Sequence, residues 1–74
     1  MATITLDLAG LKCPLPAMRT KKALATLAVG DLLDVLCTDP LSVIDIPHLV
    51  QQTGSQLVES VRSDDKFQFL IRKT

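Results

Sequence analysis

Cys13 stands immediately ahead of two prolines that straddle a leucine, in the stretch GLKCPLPAM at residues 10–18. A thiol is a weak nucleophile until it ionises, and helix N-termini and nearby cations are what lower its pKa. If Pro14 opens a helix, Cys13 is the N-cap, with its sulfur beside unpaired N–H groups and the positive end of the helix dipole. That placement predicts a favoured thiolate. Pro14 and Pro16 suit helix-initial positions, where no intrahelical hydrogen bond is lost and the backbone is already set. Leu15 and Ala17 remain as early amide donors. Lys12 and Arg19 are the nearest cations, and either would help to hold an anionic sulfur.

Other chemistries lack members. A hydrolytic nucleophile needs a general base, and the one histidine, His48, falls in a different segment with nothing to bring it to Cys13. A dithiol oxidoreductase needs a resolving cysteine. Cys37 ends the apolar run LLDVLC, where a cysteine behaves as a small core hydrophobe. Neither cysteine lies in a CxxC, so no metal site and no cofactor are expected. Asp39 reads as a helix cap, and Asp45 either as a solvated helix residue or as a neighbour of the thiol. Arg19, Lys21 and Lys22 read as a solvated face that would also steer an acidic partner. A lone, exposed, activated thiol suits a group carrier better than a self-contained catalyst.

The elements that must position this thiol are legible in the patterning. TITLDL (3–8) alternates as a half-buried strand that ends at Gly10. Residues 14–28 are rich in helix formers, with Ala17, Leu24, Leu27 and Ala28 on the inward side, and Gly30 ends the segment. LLDVLC (32–37) is apolar enough to predict a central strand covered on both faces. Asp39-Pro40 reads as the cap and first residue of a second helix. That helix runs to about Thr53, with Ile46, Leu49 and Val50 inward, a kink at Pro47 and a stop at Gly54. QLVESVR (56–62) and KFQFLIR (66–72) form a hairpin around the polar turn between them. The order β-α-β-α-β-β, with right-handed crossovers, predicts an α+β two-layer sandwich: a four-stranded mixed sheet with two helices on one face.

Bulk properties narrow the function. Seventy-four residues make one domain, 1–74, and 47% hydrophobic with 22% charged residues is a globular balance. Only Phe67 and Phe69 are aromatic, so the core rests on aliphatic packing. Net charge is zero and no GxxG clamp is present, which argues against an RNA-binding module of similar topology. With no secretory signal and no long apolar run, a cytoplasmic, non-membrane protein with reduced thiols is expected.

With those elements in place, LAGLKCPLPAMRTKKAL resembles the N-terminal signature of the TusA-like (SirA/YedF) sulfur-carrier family, a Cys-Pro-x-Pro motif between the first strand and first helix. The resemblance continues through Asp39-Pro40 and Asp45-Ile46 to the Phe-x-Phe-x-Ile-x-Lys ending at 67–73. It implies that Cys13 accepts sulfane sulfur as a persulfide and passes it on. Lys12, Pro14, Leu15, Pro16, Ala17, Arg19 and Asp45 would surround that site. It implies a sulfur-donor protein such as a cysteine desulfurase or rhodanese, and an acceptor such as a DsrE-like relay protein. The sulfur would serve tRNA thiolation, molybdenum cofactor supply or dissimilatory sulfur oxidation. The expected species is a free monomer acting as a sulfurtransferase carrier. Leu15 stands where better-known thiolation members carry an acidic residue. The rival reading is a non-enzymatic interaction module in which Cys13 only fills a tight corner.

Overall fold

The computed structural model describes residues 2–74. Its elements are β1 (Thr3–Leu8), α1 (Leu15–Ala25), β2 (Leu32–Cys37), α2 (Ser42–Thr53), β3 (Gln56–Ser63) and β4 (Lys66–Arg72). The strands form one sheet in the order β1-β2-β4-β3, with β1 parallel to β2 and the other neighbours antiparallel. This is the mixed four-stranded sheet with two helices that the patterning predicts.

Strand alternation explains where the core sits. Leu33, Val35 and Cys37 of β2 lie opposite Ile71, Phe69 and Phe67 of β4, and all six are buried on the helix side. Leu24 and Leu27 from the first helical segment and Ile46 and Val50 from α2 close over them. The last strand therefore carries its Phe-x-Phe-x-Ile pattern for packing. Lys73, which follows, donates from Nζ to the Leu24 carbonyl at 2.9 Å, placing a cation at the C-terminal end of α1 where the helix dipole favours it.

Three expectations need correction. β2 is central but covered on one face only: Leu32, Asp34 and Leu36 are half-buried, because both helices pack against the opposite side. On the open face Asp34 accepts from Gln68 Nε2 at 2.9 and 3.0 Å. The first helix ends at Ala25 rather than near Ala28, because both the N–H and the hydroxyl of Thr26 bond to the Ala23 carbonyl and tighten the last turn. Ala28 is consequently exposed, and buried Pro16 and Thr20 take the inward positions, with the Thr20 hydroxyl satisfied by the Pro16 carbonyl at 2.7 Å. Finally, α2 starts at Ser42, after a turn through Pro40 and Leu41, and continues through Pro47. The carbonyl that Pro47 cannot serve belongs to Val43, on the exposed side. Gly54, at φ 73°, closes α2 in the left-handed conformation that a glycine adopts without steric penalty. No helix among the described residues is long and apolar enough to cross a membrane.

Candidate functional site

Parallel pairing brings the site together. Leu8 and Cys37 lie side by side at the C-terminal ends of β1 and β2, so both strand-to-helix loops leave the sheet at the same end and the starts of α1 and α2 become neighbours. Two hydrogen bonds join these loops: Gly10 N–H to Thr38 Oγ1 at 2.8 Å, and Cys13 N–H to Asp39 Oδ2 at 2.6 Å. The other oxygen of Asp39 accepts from the Leu41 N–H at 3.1 Å, while its carbonyl accepts from the Ser42 hydroxyl at 2.7 Å. Asp39 thus fastens the cysteine loop and shapes the entry to α2 with the same side chain.

The Cys13 side chain is exposed at this junction. It is not the N-cap. α1 begins at Leu15, Pro14 holds the cap position, and Cys13 lies one residue further out, in a turn closed by Leu15 N–H to the Lys12 carbonyl at 2.9 Å. Pro14 and Pro16 have no N–H and that of Leu15 is engaged, so the helix end offers the sulfur few free donors.

The expected thiolate stabilisation is also reversed. The Cys13 thiol is pushed above its ordinary value: first by the Asp45 carboxylate as a hydrogen-bond partner, then by partial desolvation, then by the charges of Asp45 and Asp39. The dominant influences on it are acidic rather than the cations Lys12 and Arg19. The positive charge of Lys12 acts on Asp39, whose carboxyl is held below its ordinary value chiefly by the N–H of Cys13 and then that of Leu41.

That depression has a pH consequence. A carboxyl with a lower pKa in the folded than in the unfolded chain contributes stability that is present above the unfolded value and is lost as pH falls through the folded one. Asp39→Asn removes this contribution, so the fall in urea midpoint below the ordinary carboxylate range is shallower in the variant than in the wild type. Acid limbs that superimpose would show that the Asp39 contact does not stabilise the fold.

The residues singled out in the sequence separate into groups. Lys12, Pro14, Leu15 and Arg19 are exposed around the start of α1, Ala17 is half-buried and Pro16 is buried under the core side. Asp45, from the first turn of α2, is half-buried and brought to the thiol. His48, Lys21 and Lys22 are exposed. Cys37 is fully buried, and that burial pushes its thiol up, an effect partly offset by the Ser42 hydroxyl. The role of Asp39 toward Cys13 goes beyond its sequence reading as a helix cap. Its signal is the pair of X-Pro steps, Cys13-Pro14 and Asp39-Pro40, each following a strand and preceding a helix. Among the described residues no cluster of side chains is arranged to hold a metal ion.

Residues 4–73 match the sequence model of the family described as Sulfurtransferase TusA. The sulfur carrier protein TusA of Allochromatium vinosum is 48% identical over 69 residues, covering 93% of this chain and 91% of its own. Among solved structures, a SirA-like protein from Desulfitobacterium hafniense superposes with a TM-score of 0.79 at 31% identity, covering 97% of this chain and 96% of that one. The matched span takes in both loops that meet at Cys13, both helices and all four strands but for the first residue of β1, and the chain belongs to the TusA family of sulfur carriers.

Proposed function

We propose that this chain is a one-domain sulfur carrier whose cargo travels as a persulfide on Cys13. The observation that carries the reading is the contrast between its two thiols: Cys13 is exposed on a loop tied down through its own amide, and Cys37 is sealed in the core. In the accepting step the Cys13 sulfur attacks the outer sulfur of a donor persulfide. A new S–S bond forms, the donor's S–S bond breaks, and the donor departs as a thiol after taking up the proton that Cys13 gives up. In the delivering step an acceptor thiolate attacks the outer sulfur, and Cys13 leaves and regains a proton. The sulfane sulfur changes owner with no external oxidant or reductant.

Lys12, Pro14, Leu15, Pro16, Ala17, Arg19 and Asp45 are the supporting residues in this reading. The prolines stiffen the approach to α1, and the exposed Leu15 belongs to the surface a partner would meet. The donor is a cysteine desulfurase or rhodanese and the acceptor a DsrE-like relay protein, both met by a free monomer in the cytoplasm. The pathway supplied is tRNA thiolation, molybdenum cofactor synthesis or sulfur oxidation. Incubation with a cysteine desulfurase and cysteine should add one reductant-labile sulfur, read by intact-protein mass spectrometry. A chain that stays unmodified with this donor and with polysulfide is not a persulfide carrier.

A further inference from the structure

The strand order β1-β2-β4-β3 leaves two free edges on the sheet, and they are not alike. β3 is broken by a register shift between Leu57 and Glu59 and carries Glu59 and Arg62, a bulge and charges of the kind that discourage another strand from pairing. β1 has no such protection. All six residues of TITLDL keep continuous register with β2, and none is a proline, lysine or arginine. Both ends of the strand are tied: the Ala2 N–H donates to Asp31 Oδ1 at 3.1 Å, and the Leu11 N–H to the Leu8 carbonyl at 3.1 Å. The direction of its backbone groups follows from one bond. Because the Ala2 carbonyl accepts from the Leu32 N–H at 2.8 Å, the alternation of the strand aims the amides and carbonyls of Ile4, Leu6 and Leu8 at β2. Those of Thr3, Thr5 and Asp7 point outward from the sheet.

We propose that the β1 edge pairs with the β1 edge of a second copy of this chain, antiparallel about a two-fold axis at Thr5, joining the two sheets into one. Self-complementarity identifies the occupant. With Thr5 opposite Thr5 of the second copy, Thr3 falls opposite Asp7 and Asp7 opposite Thr3, so every outward residue meets an outward residue and each pair exchanges both backbone hydrogen bonds. A two-residue slip in either direction leaves one outward residue of each strand without a partner in β1. The side chains agree with the same register. On the helix side Ile4, 44% exposed, lies opposite half-buried Leu6 at the closer, non-hydrogen-bonded positions, and covering it removes apolar surface from water. On the open side threonine meets threonine, and Asp7 meets a hydroxyl rather than a second carboxylate. The two-fold sends the C-terminal ends of the strands in opposite directions, so the loops that carry Cys13 stand at opposite ends of the joined sheet and both thiols stay open. The strand offers six residues a side, against about 20–30 in a stable complex. Pairing is therefore weak, and the free monomer prevails at low concentration.

The test is sedimentation equilibrium over a concentration series, with reductant present so that a Cys13 disulfide does not mimic the dimer. No sulfur donor is needed, so the outcome is independent of the carrier reading. The average mass of the wild type should rise from one chain toward two, whereas Thr5→Pro should need at least about tenfold more protein to reach the same mass. Proline is tolerated at this position because the Thr5 N–H serves no bond to β2, and an edge strand accepts a proline in that orientation. Far-UV circular dichroism checks the fold, and if the proline variant unfolds, Thr5→Lys replaces it by setting like charges opposite each other at the axis. Amide hydrogen exchange locates the contact: Thr3, Thr5 and Asp7 should exchange more slowly as concentration rises, with β3 unchanged. A wild type that remains one chain up to about millimolar concentration, a folded Thr5 variant that associates as the wild type does, or slowing confined to another surface overturns the proposal.

Discussion

Cys13→Ser is expected to take up no sulfur from a desulfurase that loads the wild type, whereas Cys37→Ala is expected to load as the wild type does. The serine hydroxyl keeps the size and polarity of the site, and the backbone N–H that bonds Asp39 is untouched, so the loop retains its tether. What is lost is a sulfur atom able to form an S–S bond. Cys37 does not substitute for it. Cys37 lies opposite Phe67 and beside Leu8, with no measurable exposure, and its burial pushes the thiol away from the reactive anion. Mass spectrometry after loading separates the two thiols directly, and alkylation of the native wild type with a small reagent should modify one cysteine and spare the other. Sulfur found on Cys13→Ser at wild-type levels would move the cargo to another residue and return Cys13 to the role of a corner filler.

How much of this was legible depends on the distance over which each interaction acts. The strands and helices follow from alternation in TITLDL and KFQFLIR and from the helix formers after Pro14, all local features. The buried character of Cys37 followed equally well from its place at the end of LLDVLC. The placement of Cys13 at a strand-to-helix turn was also local. Its electrostatics were not. A helix-dipole argument sees the residues immediately after Cys13, whereas Asp39 and Asp45 arrive from a loop and a helix on the far side of β2. Only the parallel pairing of β1 with β2 brings them to the thiol, and with them the sign of its pKa shift changes. The helix boundaries moved for a similar reason: the Thr26 hydroxyl and the Asp39 carboxylate compete for backbone groups in ways that helix propensity does not describe.

Phe69→Ala is expected to have the largest effect on stability. Phe69 is 2% exposed and lies on β4 between Val35 of β2 and Ser60 of β3, at the middle of the sheet's helix side. It is one of two aromatic residues in the chain, so aliphatic neighbours would have to collapse into the space it leaves. Truncating a buried phenylalanine costs about 3–5 kcal/mol, whereas a chain of this length has roughly 4–11 kcal/mol to lose at typical stabilities per residue. The variant should therefore show a large drop in urea midpoint and, at the lower end of that range, be substantially unfolded at 25 °C. Cys37 gives this prediction a second readout: it packs in the same cluster as Phe69, so its alkylation should become measurable as the core opens. A loss below about 1 kcal/mol, the scale of an ordinary surface substitution or less than one methylene-rich side chain, would mean that Phe69 does not anchor the sheet against the helices. The consequence for the carrier would follow from the topology, since β4 holds β2 in place, β2 leads to Asp39, and Asp39 fixes the amide of Cys13, the residue proposed to carry the sulfur.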